Sequence, residues 1–568
     1  MDNASGREEL VRWKQARPAN YYDATPNLAR VLDVRAPGRR AGMEERLRSF
    51  GAAVAAIVDP AVDIVERHRE LPAYRPFDGV GTPIESIEFH PAHIEAGRAV
   101  WGSGIADDDK PGGLFAQAAL FYLLSHVGEG GHACPLVCTV GMARALRHRG
   151  STDLVEKHLA GLVSSDYDTA VRGSQFLTEV QGGSDVGSNA AEAVADPDEA
   201  GAWRISGEKW FCSVADAGLF AVTARPVGAG PGTKGLGCFL VPRTIAGVPN
   251  GFRIRRLKDK LGTRGLASAE IDFDNALAWP IGEIDEGFKV AVGELLNTSR
   301  WLNAIGSTGL MRRAVIEASS FARHRTAFGR PIGSFPLVRE QLALMKVEEQ
   351  AALASTMLLT RLVEAVDTGV ASDAERASHR FLVNANKYVT SIAASDVVHG
   401  AIEALGGNGT IEDFSPLPRL YRDAIVYESW EGTHNVLCAQ VQRDCARLEL
   451  LDPVVESIHA ELARAGHASG DDVKVVLAAL DRVEQRLRRS IPAGEPAAAD
   501  FRRQLGSIVR VIQAAALLGE ADGDGAMREE KAAVAGVFIR RHLLPGHEPE
   551  DDDSWSPLVE AALAGDAG

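Results

Sequence analysis

Between Ser174 and Ile284 the sequence breaks into short runs of strand-like texture, while on both sides of that stretch the apolar residues recur at helical spacing. WRISGEKWFCS, LFAVTARPV, LGCFLVPR, FRIRRL and ASAEIDFDNALAW are each bounded by Gly, Pro or Asp, the punctuation of strands joined by turns. Strand and helix periods cannot share one element, so this stretch predicts a small antiparallel barrel or sandwich set between helical regions. At 568 residues the chain is also too long for a single core. The expected order is an irregular surface arm over 1–40, an N-terminal helical domain over 41–173, a β-barrel domain over 174–285, a helical domain over 286–450 and an extra helical domain over 451–568.

Within the helical regions two segments are diagnostic. LFAQAALFYLLSHV carries apolar side chains all round, which predicts a helix buried on several faces. In DVKVVLAALDRVEQRL the apolar positions 473, 476, 480, 483 and 487 follow the spacing of one helix face. HEPEDDDSWSP reads as a solvated loop.

Composition excludes several function classes. The net charge of −16 repels nucleic acid and anionic membranes. Six cysteines without a C-x-x-C spacing fit a reducing cytoplasm. The N-terminus has no apolar core of a signal peptide, and no run approaches the roughly 20 apolar residues of a membrane span.

Three motifs are decoys. Gly230–Gly235 spells G-x-G-x-x-G, but a strand-like run follows it where a nucleotide-binding helix should open, so it reads as a hairpin loop. The stretch from Glu520 to Gly525 imitates a calcium loop, but Lys531 stands where the bidentate acid belongs. His126, His132, Cys134 and Cys138 match no common zinc spacing, so no metal is expected there. Neither a G-x-S-x-G elbow nor a Walker A sequence occurs.

LTEVQGGSDV (177–186) differs in kind, because its hydroxyls and glycines offer backbone N–H groups to a heterocycle or phosphate. With GEKWFCS (207–213), RHRTAFGRPI (323–332), EALGGNGT (403–410) and RLYRDAIVYESWEGTHNV (419–436) it makes five segments in order that resemble the acyl-CoA dehydrogenase superfamily. IEFHPAH (87–93), RLKDKLGTRG (256–265), LMRRAV (310–315) and the long C-terminal extension are most similar to its AidB branch, flavoproteins of the DNA-alkylation response. The resemblance covers roughly residues 40 to 445. It implies a multidomain α+β fold: an N-terminal helical domain, a central antiparallel β-barrel, a C-terminal four-helix bundle and an additional helical domain.

Residue by residue, the resemblance implies FAD as cofactor. Leu177 and Thr178 border the flavin pyrimidine, Ser184 bonds FAD or the thioester ligand, Phe211 lies beside the ring system and Ser213 at N5. Arg325 and Phe328 reach the adenosine-diphosphate end of a neighbouring subunit's FAD, which implies a homotetramer, and Gly406 and Gly407 let backbone approach that cofactor. Thr433 and Asn435 join the cofactor set, and Arg300 with Ser184 the substrate set. Glu403 replaces a common glutamine, so a dinucleotide contact from that side chain is not expected. Glu431 falls on the position of the catalytic base, whereas the family's alternative base position holds Ser299, ahead of Arg300.

Dehydrogenation of an acyl-CoA thioester needs a base over the α-carbon and a hydride acceptor at the β-carbon, the second supplied by flavin. Burial beside Trp430 is expected to raise the basicity of the Glu431 carboxylate. The acyl group is not legible, and the electron acceptor is left open between an electron-transferring flavoprotein and oxygen. Two other readings compete: an AidB-type stress protein binding FAD and DNA with vestigial activity, and a flavin oxidase. Residues 451–568 hold 13 basic against 21 acidic residues, a net −8, which argues against DNA because phosphate neutralisation dominates such binding. The Arg482, Arg486, Arg488, Arg489 cluster runs the other way. The nitroalkane oxidase family carries Asp at the base position, which argues against the oxidase.

Overall fold

A computed structural model describes residues 3–465, 470–521 and 526–564. They form two compact units, each built from discontinuous stretches. One comprises Met1–Ala52, Leu114–His126 and Asn303–Gly568; the other comprises Ala53–Gly113 and Val127–Leu302.

The second unit contains the barrel. After a hairpin of β1 (Ala73–Phe77) and β2 (Pro83–Glu88) come β3 (Gly173–Phe176), β4 (Glu192–Ala195), β5 (Trp203–Ser213), β6 (Leu219–Pro226) and β7 (Gly237–Pro242). A short pair, β8 (Thr244–Ile245) with β9 (Val248–Pro249), precedes β10 (Phe252–Leu257) and β11 (Ser268–Pro280). The ring closes in the order β11–β5–β4–β6–β7 and back to β11, with β10 added at β11 and β3 at β6. β6 and β7 are almost wholly buried, which is why LFAVTARP and GCFLVP read as continuous apolar runs. β3–β6 and β4–β6 pair in parallel, a detail finer than the sequence texture carries. One core of this unit joins Leu219, Ala221, Cys238 and Leu240 of the strands to Met142, Leu146 and Leu162 of the preceding helices. Gly230–Gly235 lies between antiparallel β6 and β7, as a hairpin loop should, with Arg225 donating to the carbonyls of Gly230 (2.6 Å) and Gly232 (3.1 Å).

The first unit is helical. Its long helices Asn297–His324 (from Asn303 on), Pro336–Asp367, Asp373–Ala404, Leu417–Ser429 and His434–Leu448 form the bundle. Helices Leu451–Ala463, Gly470–Ala493, Ala498–Glu520, Ala526–His542 and Trp555–Leu563 pack against it. Gly113–Leu124 is buried along its length, and Val476, Leu480, Val483 and Leu487 form the buried face of their helix, both as the sequence predicts. The calcium-like decoy cannot be compared, because 522–525 lie outside the described residues.

The first 40 residues correct the expectation of an irregular arm. Asn3–Gln15 and Pro26–Arg35 are helices. Trp13 is 1% exposed, set against Phe321 and stacked on Phe414 at 4.9 Å. Leu28, Val31, Leu32 and Arg35 line one buried face, a helical period too short to stand out in a polar context. Arg35 ends in a balanced buried network: it pairs with Glu461 and with Glu520 (3.4 Å), and Lys531 pairs with Glu520 (2.9 Å). The network ties the Pro26–Arg35 helix to the C-terminal helices of the same unit. Among the described residues no helix is long and apolar enough to cross a membrane.

Candidate functional site

In the barrel unit the segment that follows β3 is held from beneath by one buried carboxylate. Glu179 is 3% exposed and accepts from the backbone N–H of Ala190 (2.6 Å) and Ala191 (3.2 Å), from Gln181 Nε2 (2.6 Å) and from Lys209 Nζ (2.7 Å). Lys209, fully buried on β5, also donates to the Leu177 carbonyl and to Thr223 Oγ1. Burial pushes its ammonium below the ordinary lysine value, more than the Glu179 carboxylate holds it up. Asn189 Nδ2 donates to the same Leu177 carbonyl at 2.5 Å, and Trp210 N–H to the Thr178 carbonyl at 2.9 Å. These bonds bring Leu177 and Thr178 beside β5, the strand of Phe211 and Ser213. Phe211 is 52% exposed, with the Lys258 ammonium 4.6 Å from its ring centroid. Ser213 Oγ lies 3.0 Å from Ser268 Oγ, which accepts from Lys260 Nζ. Ser184 is exposed in the loop beyond.

The alternative base position is closed. Ser299 is fully buried, and its hydroxyl accepts from Gln175 Nε2 of β3 at 2.8 Å. Arg300 is 3% exposed and donates to Asn297 Oδ1 at 3.3 Å. The burial of Arg300 places its guanidinium in the interior of the unit rather than in solvent.

In the helical unit Glu431 sits just past the end of Leu417–Ser429. Trp430 ends the helix in an extended conformation, Glu431 has φ +59°, and Gly432 follows at φ +101°. The left-handed region costs an L-residue about 1–2 kcal/mol, and helix ends usually place glycine there. The surroundings over-determine the turn. Lys387, fully buried on Asp373–Ala404, donates to the Glu428 and Gly432 carbonyls, both at 3.0 Å. The Glu428 carboxylate accepts from Ser395 and lies 2.9 Å from His434 Nε2, closing the loop from outside. Burial pushes the Glu428 carboxyl up, but the hydrogen bonds from His434 and Ser395 outweigh that and hold it below the usual range. Trp430 lies on the Tyr427 ring at 4.9 Å, and Asn303 Nδ2 donates to the Tyr427 carbonyl at 3.2 Å. A Cβ at Gly306 would stand 2.8 Å from the Tyr427 ring, so only glycine admits this packing.

Thr433 and Asn435 open the next helix. Thr433 is its N-cap, with no capping bond from its side chain, and Asn435 Oδ1 accepts from Arg502 at 2.7 Å. Gly406, at φ +61°, and Gly407 face open space where a Cβ would stand. Arg325 and Phe328 belong to the hairpin of β12 (Thr326–Ala327) and β13 (Arg330–Pro331). Phe328 is 96% exposed at φ +50°, and Arg325 is engaged by Glu9 of the first helix, which also accepts from Thr326 N–H at 3.2 Å. Glu403 accepts from Gln341 on the neighbouring helix.

Sequence reasoning missed Glu179–Lys209, Lys387, the Glu428–His434 closure and Glu9. A lysine inside FLVNANKYVTSIAA was the one visible signal for Lys387. His126 Nδ1 meets the Tyr122 carbonyl at 3.0 Å, His132 Nε2 the His93 carbonyl at 2.9 Å, and Cys134 and Cys138 are buried with sulfurs 3.9 Å apart. Among the described residues no group of three or more side chains could hold a metal ion.

Three family models match successive stretches: the adaptive response protein AidB N-terminal domain over residues 13–169, the acyl-CoA dehydrogenase middle domain over 174–276 and the acyl-CoA dehydrogenase C-terminal domain over 285–446. The chain is 35% identical over 383 residues to the putative acyl-CoA dehydrogenase AidB of Escherichia coli (strain K12), covering 65% of this chain and 68% of the relative. It is 32% identical over 461 residues to acyl-CoA dehydrogenase family member 11 of Caenorhabditis elegans, covering 78% and 70%. The crystal structure of C. elegans ACDH-11 in complex with C11-CoA superposes with a TM-score of 0.85 at 26% identity, covering 94% of this chain and 93% of the other. The chain therefore belongs to the acyl-CoA dehydrogenase family of oxidoreductases acting on CH–CH bonds, with its likeness running to the AidB branch.

Proposed function

We propose that this chain is an FAD-dependent acyl-CoA dehydrogenase in which Glu431 removes the α-proton of an acyl-CoA thioester. The observation that carries the reading is the conformation of Glu431, a non-glycine residue at φ +59° whose flanking carbonyls are tied to a buried lysine. Strain of this kind persists where the surroundings hold a side chain in one direction, and at functional sites that direction is used.

The residues fit a flavin. In the barrel unit Leu177, Thr178, the half-exposed Phe211 and Ser213 are assembled by the Trp210–Thr178 bond. In the helical unit the Gly406–Gly407 turn leaves its backbone open to the phosphates of a neighbouring copy's FAD. FAD held by the barrel-unit residues would supply the acceptor for the substrate's β-hydrogen and its electron pair. Glu431 accepts the α-proton, and the substrate leaves with a Cα=Cβ double bond. One oxygen of the Glu431 carboxylate is buried, and withdrawal from water strengthens a carboxylate as a base. The C11-CoA bound by the C. elegans relative supports an acyl thioester as ligand class. The exposed Phe328 supports an oligomer in which a neighbouring copy covers it, with Arg325 reaching that copy's FAD. The electrons then pass to an electron-transferring flavoprotein or to oxygen, and the six free, buried cysteines suit a reducing cytoplasm.

Anaerobic titration with a panel of acyl-CoAs, following flavin bleaching, tests the reading. With a good substrate, Glu431→Gln should keep FAD and slow reduction by about 10² to 10⁴, the usual worth of a positioned base. A Glu431→Gln protein reduced as fast as the parent, or a parent reduced by no thioester, refutes it.

A further inference from the structure

We infer that Lys387 is a positioning residue for the base: by clamping the carbonyls of Glu428 and Gly432 it sets the direction of the Glu431 carboxylate. The inference rests on Glu431 being that base. A lysine is almost never fully buried without a purpose for its charge, and Lys387 is 0% exposed. Two of its donors go to carbonyls three residues before and one residue after Glu431, each at 3.0 Å. A helix end leaves its last carbonyls without intrahelical partners, so the ammonium completes the Leu417–Ser429 helix and fixes the chain beyond it in one operation.

The clamp is mounted on a rigid element. Asp373–Ala404 is a 32-residue helix that starts in a capping box of Ser372 and Glu375. Residues 387, 391 and 395 lie at i, i+4 and i+8 on one face of it, and Ser395 reaches the side chain of the same Glu428 whose carbonyl Lys387 holds. His434 takes the other carboxylate oxygen of Glu428 from across the turn. With both ends of the turn fixed, the backbone from which the Glu431 side chain springs is held in one conformation. A base mounted this way can be aimed, whereas a displacement of about 1 Å costs on the order of 10²-fold in rate.

The test uses full-length, FAD-loaded protein and anaerobic stopped-flow reduction by the best acyl-CoA of the panel. Lys387→Met is expected to lower the limiting reduction rate by about 10²-fold while the half-saturating acyl-CoA concentration stays nearly constant. In the Glu431→Gln background the same substitution should change the rate by less than about 2-fold, because nothing remains to be aimed. Lys387→Arg, which keeps the charge and two donors, should recover part of the loss. An unchanged rate in Lys387→Met, or an equal fall in both backgrounds, overturns the inference while leaving the base assignment intact. If Glu431→Gln itself reduces like the parent, the base assignment fails first. Should Lys387→Met fail to fold, Lys387→Gln takes its place in the cycle. If neither yields FAD-loaded protein, the lysine serves folding and the inference is wrong.

Discussion

Glu179 and Lys209 offer the most direct test of how the barrel unit builds its functional face. Both side chains are essentially out of water, 2.7 Å apart, and the carboxylate also receives the Ala190 and Ala191 N–H groups and the Gln181 amide. Glu179→Gln keeps the shape and one acceptor oxygen but strands a buried ammonium beside the Leu177 carbonyl and Thr223. Breaking a buried pair in this way costs about 3–5 kcal/mol, because the remaining charge is neither solvated nor paired. Lys209→Met strands the carboxylate instead and should cost a similar amount, although three donors remain to it. The double variant removes both charges, so its cost should fall short of the sum by at least about 2 kcal/mol. Urea unfolding followed by tryptophan fluorescence includes the barrel in its signal, since two of the eight tryptophans, Trp203 and Trp210, lie on β5. FAD retention should fall in parallel in the single variants, because the pair holds the Leu177 carbonyl in place. Single variants that cost less than about 1 kcal/mol, or a double variant equal to the sum of the singles within about 0.5 kcal/mol, would refute the reasoning.

Two further outcomes are expected. Burial pushes the Glu348 carboxyl up, but His542 at 2.6 Å, with Arg510 and Arg541 close by, holds it down at about 2. A depressed carboxylate adds stability above its unfolded value that disappears as pH falls toward its folded value. Stability on the order of 3 kcal/mol should therefore be lost between about pH 4.5 and pH 2, and Glu348→Gln should flatten that limb in acid unfolding followed by circular dichroism. A limb unchanged by the substitution would mean that other carboxylates govern it. Phe328→Asp should alter chain stability by no more than about 0.5 kcal/mol, the ring being almost wholly exposed, yet lower the mass seen by light scattering and release FAD. Unchanged mass and FAD content would remove the support for a cofactor site shared between copies.

Much of this protein was legible in the sequence because it is written in local patterns. The change from helical to strand texture near Ser174 and back near Ile284 reflects side-chain periods that no tertiary contact can alter, and the barrel lies there. The Gly113–Leu124 segment, apolar all round apart from Gln117, reads as buried, and it is. The family resemblance, carried by five short motifs, pointed to Glu431 and to the segment after β3. What the sequence could not convey depends on side chains far apart along the chain. Asn3–Gln15 is helical in this fold because Trp13 finds Phe321 and Phe414, some three to four hundred residues away; its own period was too weak to stand out. Lys209 meets Glu179 across 30 residues, and Lys387 reaches the Glu431 turn across more than 40. The apolar neighbours of Lys387 in FLVNANKYVTSIAA hint that it is buried, but nothing in the sequence says which groups it meets. Only the fold, by withdrawing water and supplying two carbonyls at 3.0 Å, makes it part of the frame around Glu431.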